Sequence, residues 1–427
     1  MRAEAIFSME RKMDGTERAK LYIGIDMDED RALISFLREG EKSPVSVGKQ
    51  IPEETYRYPT SLFIGRGGNY LYGSEAEKKR RSAGGDFYDH LYLRARELAG
   101  TDGFEEAAGR LAVFIRRLIR LKESVYQKEE FEQHVVFAVP QIDERAVSVF
   151  RALKRELSEE ASSLSFMDYA ESFFYYAWHQ EDDIHSNAVA LFDYSADRVH
   201  CTILAKKLRT APQTIVSGSR DWPLPKEPGY DRDSFFLEIL KEAFEKRVVS
   251  GVFLLGDGFD GDWLTRHSDS LRFLVSNRRV FIGKNLYTKG AAYAAFERNR
   301  SGKWPYSYDC PYKLGADAAV RVMDGGKEQT VMLAQAGENW YESEQNFDAV
   351  LMGNAEIELL VRKREDREDR VIPMKLSDVW DREERTRRIC LHAFCPDVHT
   401  LQVDVRDTGF GAFYAPTGAE WKKKIPL

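Results

Sequence analysis

Apolar residues recur along the chain with two different periods, and these periods predict the order of strands and helices. Continuous apolar runs such as 135-VVFAV-139 and 251-GVFLL-255 are typical of strands that are buried on both faces of a sheet. Residues 105–122 instead place apolar side chains at helical spacing on one stripe, with Arg and Lys opposite. Strands that alternate with such helices predict an α/β core.

Capping and turn residues locate several of these elements. Pro140 ends one strand, and Asp143 is a favourable N-cap for the helix that follows. Ser234 is expected to cap a later helix. The stretch 60-TSLFIGRGGNYLYGSEA-76 predicts a hairpin with a glycine-rich tip. Residues 208–232, which contain Pro and Trp, are expected to form a connector.

One hairpin pattern occurs twice, in 25-IDMDEDRALISFL-37 and in 192-FDYSADRVHCTIL-204. In each copy an apolar residue is followed by Asp, three variable residues, Asp-Arg and an apolar-rich run. Both copies precede a similar series of helices and strands. The repetition predicts a tandem duplication of one α/β unit, with a first lobe at residues 21–187 and a second at residues 188–304.

The two ends of the chain differ from this core. Residues 1–20 are charged and aperiodic, which predicts a disordered N-terminal extension. Residues 329–427 contain strand patterns such as 356-EIELLVRK-363 and 400-TLQVDVRD-407, without helix patterns of comparable strength. We expect them to form a separate all-β domain, similar to a small sandwich. Within this domain, DTGFGAFY predicts a tight turn beside a buried aromatic residue.

Composition and charge restrict the possible partners and location. A net charge of −7 argues against a nucleic-acid binder, and no apolar run reaches the roughly 20 residues of a membrane helix. The N-terminal residues lack the apolar segment of a secretory signal. We therefore expect a cytoplasmic protein that binds neither nucleic acid nor membrane. Cys390, His392 and Cys395 raise the question of a metal site, but the second ligand pair is missing and a buried thiol pair is preferred.

Six segments, taken in order over roughly residues 21–298, resemble the actin-like ATPase superfamily. The closest likeness is to the nucleotide-binding domain of the seventy-kilodalton heat-shock chaperones. The segments are the two hairpins, 137-FAVPQIDERAVSVF-150, 169-YAESFFYYAW-178, GVFLLGDGFDGDWL and KGAAYAA. Over the full length, GDGFDGDW, GKNLYTKGAAYAA and DTGFGAFY are also similar to a bacterial family of uncharacterised proteins.

The first resemblance implies an RNase H-like duplicated core and a site for ATP or ADP with Mg²⁺. Acidic residues of the hairpins and of the helix between them would order the metal and the attacking water; these are Asp26, Glu171 and Asp193, with Asp26 and Asp193 as metal ligands. The remaining nucleotide-binding positions would be Gly24, Asp28, Ser195, Gly256, Asp257, Gly258 and Phe259. The last four match the loop that lies along the adenosine.

The hairpin turns depart from the family. The family's turns are rich in Gly and Thr, whereas these are Met27-Asp28-Glu29-Asp30 and Tyr194-Ser195-Ala196-Asp197. A carboxylate about 4 Å from a phosphate charge costs roughly 1 kcal/mol in water and about 4 at an effective dielectric near 20. Only residues 205–250 fill the interval where the chaperones insert a large lobe. Trp222 and Tyr230 are candidates to close the opened cleft, but packing on the surface or in the core is the expected role of each.

These departures predict a heat-shock-like protein with a degenerate nucleotide cleft. Such a protein would be a weak nucleotide binder or pseudo-ATPase, and it would act through protein–protein contacts. The chaperones grip extended peptides with a β domain at this position, so the C-terminal β domain is the expected site for a protein or peptide partner. The alternatives are an active Mg²⁺-dependent ATPase chaperone and, without a recognisable sugar motif, a sugar kinase of the same superfamily.

Overall fold

A computed structural model gives the structure of the chain. It describes residues 3–5, 18–48, 57–82, 84–195, 197–227, 229–324, 326–351, 355–363, 366, 368–376 and 386–427. Two compact units are formed: Thr16–Tyr308, and Asp309–Leu427 together with Met1–Gly15. Most of the extension expected to be disordered, residues 1–2 and 6–17, lies outside the described residues, and Ala3–Ala5 form strand β1. No helix among the described residues has the length and apolar character that a membrane crossing requires.

The larger unit is mixed α/β. Its strands are β2 (Lys20–Met27), β3 (Arg31–Arg38), β4 (Val45–Ser46), β5 (Tyr58–Pro59), β6 (Leu62–Gly65), β7 (Tyr70–Tyr72), β8 (Gly85–Tyr88), β9 (Glu132–Val139), β10 (Ser163–Asp168), β11 (Ala188–Tyr194), β12 (Arg198–Lys206), β13 (Gln213–Pro223), β14 (Val249–Leu255), β15 (Arg279–Ile282) and β16 (Tyr306–Asp309). Its helices are α1 (Ser74–Lys78), α2 (Leu91–Glu97), α3 (Phe104–Arg120), α4 (Glu123–Tyr126), α5 (Glu144–Glu156), α6 (Tyr169–Ala177), α7 (Arg232–Phe244), α8 (Asp269–Val275) and α9 (Leu286–Asn299).

Two larger sheets organise this unit, and their strands follow the same order. The first sheet runs β10-β9-β2-β3-β4, and the second runs β15-β14-β11-β12-β13-β16. In the first, β2 pairs antiparallel with β3 and parallel with β9, which is parallel to β10. In the second, β11 pairs antiparallel with β12 and parallel with β14, which is parallel to β15. A small third sheet has the order β7-β6-β8.

Helix patterning accounts for much of the core around the first sheet. The stripe predicted over residues 105–122 corresponds to α3, whose Leu111, Phe114 and Leu118 are buried. The predicted cap of α5 is confirmed, because the Asp143 side chain accepts a hydrogen bond from the Ala146 amide at 2.8 Å. A capped, amphipathic helix of this kind covers a sheet while its polar face remains in solvent.

Helices α6 and α9 pack closely against each other and against the first sheet, and glycines permit this closeness. A Cβ atom at Gly24 in β2 would overlap the Thr288 carbonyl oxygen of α9. The Thr288 hydroxyl also donates to the Gly24 carbonyl at 2.8 Å. At Gly290 in α9, a Cβ would overlap the Ser172 carbonyl oxygen of α6. The small-residue segment KGAAYAA therefore serves backbone-to-backbone packing.

The sequence-based expectations need two corrections here. The segment 208–232 is more than a connector, because β13 lies within it and pairs with β12 along its length. Helix α7 is capped by Asp231, whose carboxylate accepts from the Asp233 amide at 3.0 Å. Ser234 lies in the first turn of α7 and donates its hydroxyl to Asp231 at 2.6 Å. The hairpin predicted at 60–76 is present as β6 and β7.

The smaller unit is built from strands. These are β1 with β17 (Ala316–Asp324), β18 (Lys327–Ala334), β19 (Glu344–Leu351), β20 (Glu356–Lys363), β21 (Arg370–Lys375), β22 (Arg388–Asp397), β23 (Thr400–Asp407) and β24 (Glu420–Pro426). They form one hydrogen-bonded sheet of order β21-β20-β17-β1-β19-β22-β23-β24, with β18 on β17, instead of the two separate sheets of a sandwich. The sequence pattern predicts that this domain begins at Gln329, but β17 already belongs to it and begins at Ala316.

The two outer strands of this sheet lie side by side. Arg370 in β21 donates to the Pro426 carbonyl of β24 at 3.1 Å, and Lys423 in β24 donates to the Pro373 carbonyl of β21. Side chains therefore bridge the seam between the two edges. Lys and Pro at an edge hinder the addition of a further strand.

Candidate functional site

A cavity of about 580 Å³ opens at the ends of the two hairpins. Its lining residues are Asp26, Asp28, Leu33, Arg57, Tyr169, Asp193, Tyr194, Ser195, Leu224, Tyr230, Arg232, Leu255, Gly256, Asp257, Gly258, Lys284 and Tyr287. The volume falls in the range of small-molecule sites, roughly 300–1,000 Å³. The cavity brings together seven of the residues proposed from the sequence: Asp26, Asp28, Asp193, Ser195, Gly256, Asp257 and Gly258.

The two hairpin aspartates occupy equivalent positions. Asp26 is the last residue but one of β2, and Asp193 is the last but one of β11. Each stands where its strand passes into the turn of an antiparallel hairpin. The two sheets have the same strand order, so the repeated motif has the same place in each sheet. The carboxyl groups of Asp26 and Asp193 both line the cavity.

Two tyrosines, which sequence reasoning missed, engage these aspartates. Tyr169 donates its hydroxyl to Asp26 Oδ1 at 2.7 Å, and Tyr287 donates to Asp193 Oδ2 at 3.4 Å. The two rings are stacked, with centroids 3.8 Å apart and planes within 9° of parallel. Tyr169 begins α6 and Tyr287 is the second residue of α9, so each follows the last parallel strand of its sheet. Both tyrosines stand at the start of a helix that follows a parallel strand, and this shared position is the feature of the sequence that could have indicated them.

Burial favours the neutral form of both carboxyl groups. Burial is the main cause that raises the pKa of Asp26 to about 7; the Tyr169 hydroxyl opposes it, and the charge of Asp28 adds to it. Burial likewise raises the pKa of Asp193 to about 6, opposed by His200 and by the Tyr287 hydroxyl. A group that binds Mg²⁺ must be ionised. Near neutral pH, a large fraction of Asp26 is therefore protonated.

The backbone donors of the first turn are occupied by the protein itself. Asp28 Oδ1 accepts from the Asp30 amide at 2.9 Å and from the Arg31 amide at 2.7 Å. A phosphate oxygen would need such amides, but a carboxylate already fills their acceptor position. In the second turn the Ser195 hydroxyl donates to Asp197 at 2.8 Å, and Ala196 lies outside the described residues.

Three cationic side chains line the cavity and were not proposed from the sequence. Arg57 forms an ion pair with Asp257 at 3.3 Å, and Lys284 pairs with Asp260 at 3.0 Å. Arg232 begins α7 and is the third. The sequence did not indicate this group, because Arg57 lies far along the chain from Arg232 and Lys284. Their charge partly balances the acidic residues of the cavity.

The segment matched to the adenosine loop packs against the second hairpin. Gly256 has a φ of 102°, and a Cβ there would overlap the Tyr194 carbonyl oxygen. A Cβ at Gly258 would overlap the Tyr194 ring. Phe259 is buried in the core beside Phe236 and Tyr194 and does not line the cavity. These glycines are therefore explained by close packing within the protein.

Two other proposed residues do not line the cavity. Glu171 is buried in the first turn of α6 and forms an ion pair with Arg298 of α9 at 3.1 Å. Gly24 forms the contact with α9 described above. Of the two aromatics considered for closure, Tyr230 lines the cavity and its hydroxyl lies 2.7 Å from that of Tyr194. Trp222 instead is partly buried against the core of the second sheet and donates to Glu242 at 2.8 Å.

The hairpin groups that would hold a Mg²⁺-nucleotide already form hydrogen bonds within the protein. Within the described ranges, no group of three His, Cys, Asp or Glu side chains is arranged to hold a metal. Both candidate metal ligands already accept a tyrosine hydroxyl, and the amides of Asp30 and Arg31 already have a carboxylate acceptor. Phosphate binding at these two amides would require the Asp28 hydrogen bonds to break.

The cysteines of β22 do not form a shared site. Cys395 is buried, whereas Cys390 and His392 lie on the opposite, partly exposed face of the strand. The Cys390 thiol donates to Asn346 Oδ1 at 3.0 Å, and His392 Nε2 lies 2.9 Å from Glu344. The expected buried thiol pair is therefore wrong, because alternation along a strand places residues five apart on opposite faces.

The loop between β23 and β24 contains two phenylalanines, Phe410 and Phe413, and both are exposed to solvent. Asp407 accepts from the Gly409 amide at 3.0 Å and from the Thr417 amide at 2.7 Å, which fixes the base of the loop. Phe410 is 38% exposed and Phe413 is 87% exposed. The expectation of a buried aromatic in DTGFGAFY is corrected accordingly. The loop therefore presents both phenylalanine side chains to solvent.

Comparison with known proteins gives two family matches. Residues 43–311 match the model of the C-terminal part of a family of unknown function, DUF5716, and residues 313–427 match a domain of unknown function, DUF8552. The boundary between them falls close to the boundary between the two compact units. No curated protein matches the chain. Among solved structures, a non-polymerising mutant of MamK bound to AMPPNP is similar, with a TM-score of 0.39 and 11% identity over 66% of this chain and 98% of that chain.

Proposed function

The chain belongs to the DUF5716 family of unknown function, and we propose that its larger unit is a duplicated actin-like core of the heat-shock type with a degenerate nucleotide cleft. Support comes from the two sheets of equal strand order, each of which begins with a hairpin that carries an aspartate. The cavity between the aspartates is where such a core would hold its nucleotide.

The observation that carries the pseudo-ATPase proposal is the internal hydrogen bonding of that cavity. Asp28 occupies the turn amides, and Tyr169 and Tyr287 occupy Asp26 and Asp193. Phosphoryl transfer requires metal and fixed donors around the transferring group. Where the protein's own side chains hold those positions, the cleft contributes to stability and does not turn over nucleotide.

Residual anion binding is expected at the rim of the cavity. Arg57, Arg232 and Lys284 give it cationic character, while Asp26 and Asp193 are partly protonated near neutral pH. A nucleotide would therefore bind weakly through its phosphates and without a requirement for Mg²⁺. Loss of Mg²⁺ dependence distinguishes this mode from that of a working ATPase.

Thermal unfolding with ATP or ADP, each with and without Mg²⁺, tests the proposal. A ligand at five times its Kd adds about 1 kcal/mol, which corresponds to a rise in Tm of roughly 2 °C. We expect such a rise only at millimolar nucleotide, and we expect it to be the same with and without Mg²⁺. Lys284→Gln should abolish the rise, whereas Arg272→Gln, at an exposed arginine, is the control and should retain it. Phosphate release that Asp193→Asn abolishes would instead establish the alternative, an active Mg²⁺-dependent ATPase.

We further propose that the protein acts through protein–protein contacts of its C-terminal unit. The bridged seam between β21 and β24 disfavours the addition of a peptide strand, whereas Phe413 presents an anchor for an apolar pocket. A photo-crosslinking residue at Phe413, compared with one at Val275 on α8, would identify the contact. A partner that crosslinks equally from both positions would exclude the loop as its docking site.

A further inference from the structure

A second cavity, of about 480 Å³, lies beside α3 and shares no lining residue with the cavity between the hairpins. Its lining residues are Val45, Ser46, Val47, Gly48, Tyr58, Tyr72, Gly73, Glu75, Phe114, Arg117, Leu118, Leu121, Ser124 and Val125. The volume suits a small molecule. This second cavity contains neither the two hairpin aspartates nor the β23–β24 loop, so the function proposed above does not assign it a role.

The floor and rim of this cavity are apolar. Phe114 and Leu118 belong to the buried stripe of α3, and both also face the cavity. Val45 and Val125 stand at its rim and are 45% and 36% exposed. Apolar side chains arranged around a concave surface favour a ligand with an apolar chain or ring.

The arginine at this cavity, Arg117, differs from Arg110 and Arg116 of the same helix. Arg110 pairs with Glu106, and Arg116 pairs with Glu160 at 2.7 Å. Arg117 has no carboxylate within ion-pair distance in the part of the chain that the structure describes. Its guanidinium lies 5.9 Å from the centre of the Tyr72 ring. The cation is therefore available at the mouth of an apolar cavity.

Two tyrosine side chains complete the polar part of the mouth. Burial raises the pKa of both Tyr58 and Tyr72, and Arg117 opposes this rise in each, so its charge acts on both phenols. The Tyr58 hydroxyl donates to the Val47 carbonyl at 3.3 Å. Glu75 is the acidic residue of the lining, and its exposed carboxylate disfavours a second negative charge on a ligand.

We infer that this cavity binds a small amphipathic monoanion, a molecule with an alkyl chain or aromatic ring that ends in one carboxylate or sulfonate. The apolar part rests on Phe114 and Leu118, and the anionic group meets Arg117. A guanidinium that holds a carboxylate in a partly apolar site forms a strong, charge-assisted contact. This inference does not depend on the nucleotide cleft.

Calorimetric titration of the full-length protein with decanoate tests the inference. Decanoate is expected to bind at one site, and decanol and decyltrimethylammonium at least about tenfold more weakly, because each lacks the charge that Arg117 recognises. Arg117→Gln should weaken decanoate binding about tenfold, whereas Glu75→Gln should strengthen it about threefold. Decyl phosphate, a dianion, should bind more weakly than decanoate in the wild type and gain most from Glu75→Gln.

Two variants that fill the cavity entrance, called plug variants here, test whether decanoate binds in this cavity. Val125→Trp and Val45→Trp place an indole at the rim, on side chains that already reach solvent, and each should abolish decanoate binding. Val275→Trp, at an exposed valine of α8, is the matched control and should bind normally. Equal affinity for decanol and decanoate, or unchanged binding in Arg117→Gln and in both plug variants, would overturn the inference. Thermal unfolding of each variant without ligand verifies that the fold is retained.

Discussion

The buried aspartate of the first hairpin gives the protein a specific pH dependence of stability. Asp26 has a pKa of about 7 in the folded protein and about 3.8 when unfolded, since burial penalises its charged form. The folded state therefore retains a proton that the unfolded state releases. Its stabilising contribution is fully present below about pH 4 and is lost as the pH rises through about 7. Asp26→Asn keeps an acceptor for Tyr169 and removes this titration.

The magnitude follows from the shift in pKa. A difference of about three pKa units corresponds to about 4 kcal/mol of stability, at 1.36 kcal/mol for each unit. For a unit of this size, that loss lowers Tm by roughly 8 °C. Asp26→Asn should thus match the wild type in stability only below about pH 4. At pH 5 it should already be about 1.6 kcal/mol more stable, or roughly 3 °C in Tm, and at pH 8 roughly 8 °C more stable. Asp193→Asn should show the same effect at smaller size, because the Asp193 pKa is raised only to about 6.

Differential scanning calorimetry at pH 5, 6, 7 and 8 provides the assay. Other acidic groups also titrate, so the informative quantity is the difference in Tm between each variant and the wild type at the same pH. Asp102→Asn, at an exposed aspartate before α3, is the control and should give no pH-dependent difference. If Asp26→Asn lowered Tm by the same amount at every pH, the carboxyl group would be ionised throughout, and the reasoning on burial would be refuted.

Three further changes separate structural roles from ligand binding. Asp28→Gly should lower the stability by about 1–2 kcal/mol through loss of the two turn hydrogen bonds, and should tighten ADP binding in a calorimetric titration; unchanged stability would contradict the cap. Gly24→Ala should lower Tm strongly or prevent folding because its Cβ would overlap Thr288. The control Gly109→Ala, in α3 with open space around it, should raise the stability by roughly 0.5–1 kcal/mol. Phe413→Ser should leave Tm unchanged while it abolishes any crosslinked partner, and a large fall in Tm would show that the ring packs within the unit.

Local patterning predicted much of the fold. The apolar stripe of α3, the Asp143 cap and the repeated hairpins all depend on residues close in sequence, and the structure has each of them. Strand β13 was missed because its residues, 213-QTIVSGSRDWP-223, are mostly partly or fully exposed, so they lack a continuous apolar run. The cap of α7 was misplaced because Asp231 and Ser234 both suit an N-terminus, and only the backbone geometry decides between them.

The site was harder to predict, for a different physical reason. Asp26 and Asp193 could be found because each ends an apolar strand in a repeated motif. Tyr169 and Tyr287 each belong to a helix, and their stacking depends on how α6 and α9 cross, which no local pattern encodes. Glu171 lies two residues after Tyr169, and the helical turn directs it to Arg298 and away from the cavity. Arg57 and Lys284 are far apart in sequence and line one cavity only because of the tertiary fold.

The structure also changes the meaning of the substitutions in the two turns. The sequence alone indicates that anionic side chains repel a phosphate. In the fold, Asp28 does more than repel, since its carboxylate accepts hydrogen bonds from the very amides that a phosphate would use. The turn thus contains an internal substitute for the anion, and its shape is retained without a nucleotide.

A crystal structure determined with millimolar Mg²⁺ and AMPPNP tests this account most directly. We predict that Asp28 Oδ1 remains on the amides of Asp30 and Arg31, that Tyr169 and Tyr287 remain on their aspartates, and that no metal lies between Asp26 and Asp193. Phosphate oxygens bound to those amides, with Mg²⁺ held by the two aspartates, would contradict it.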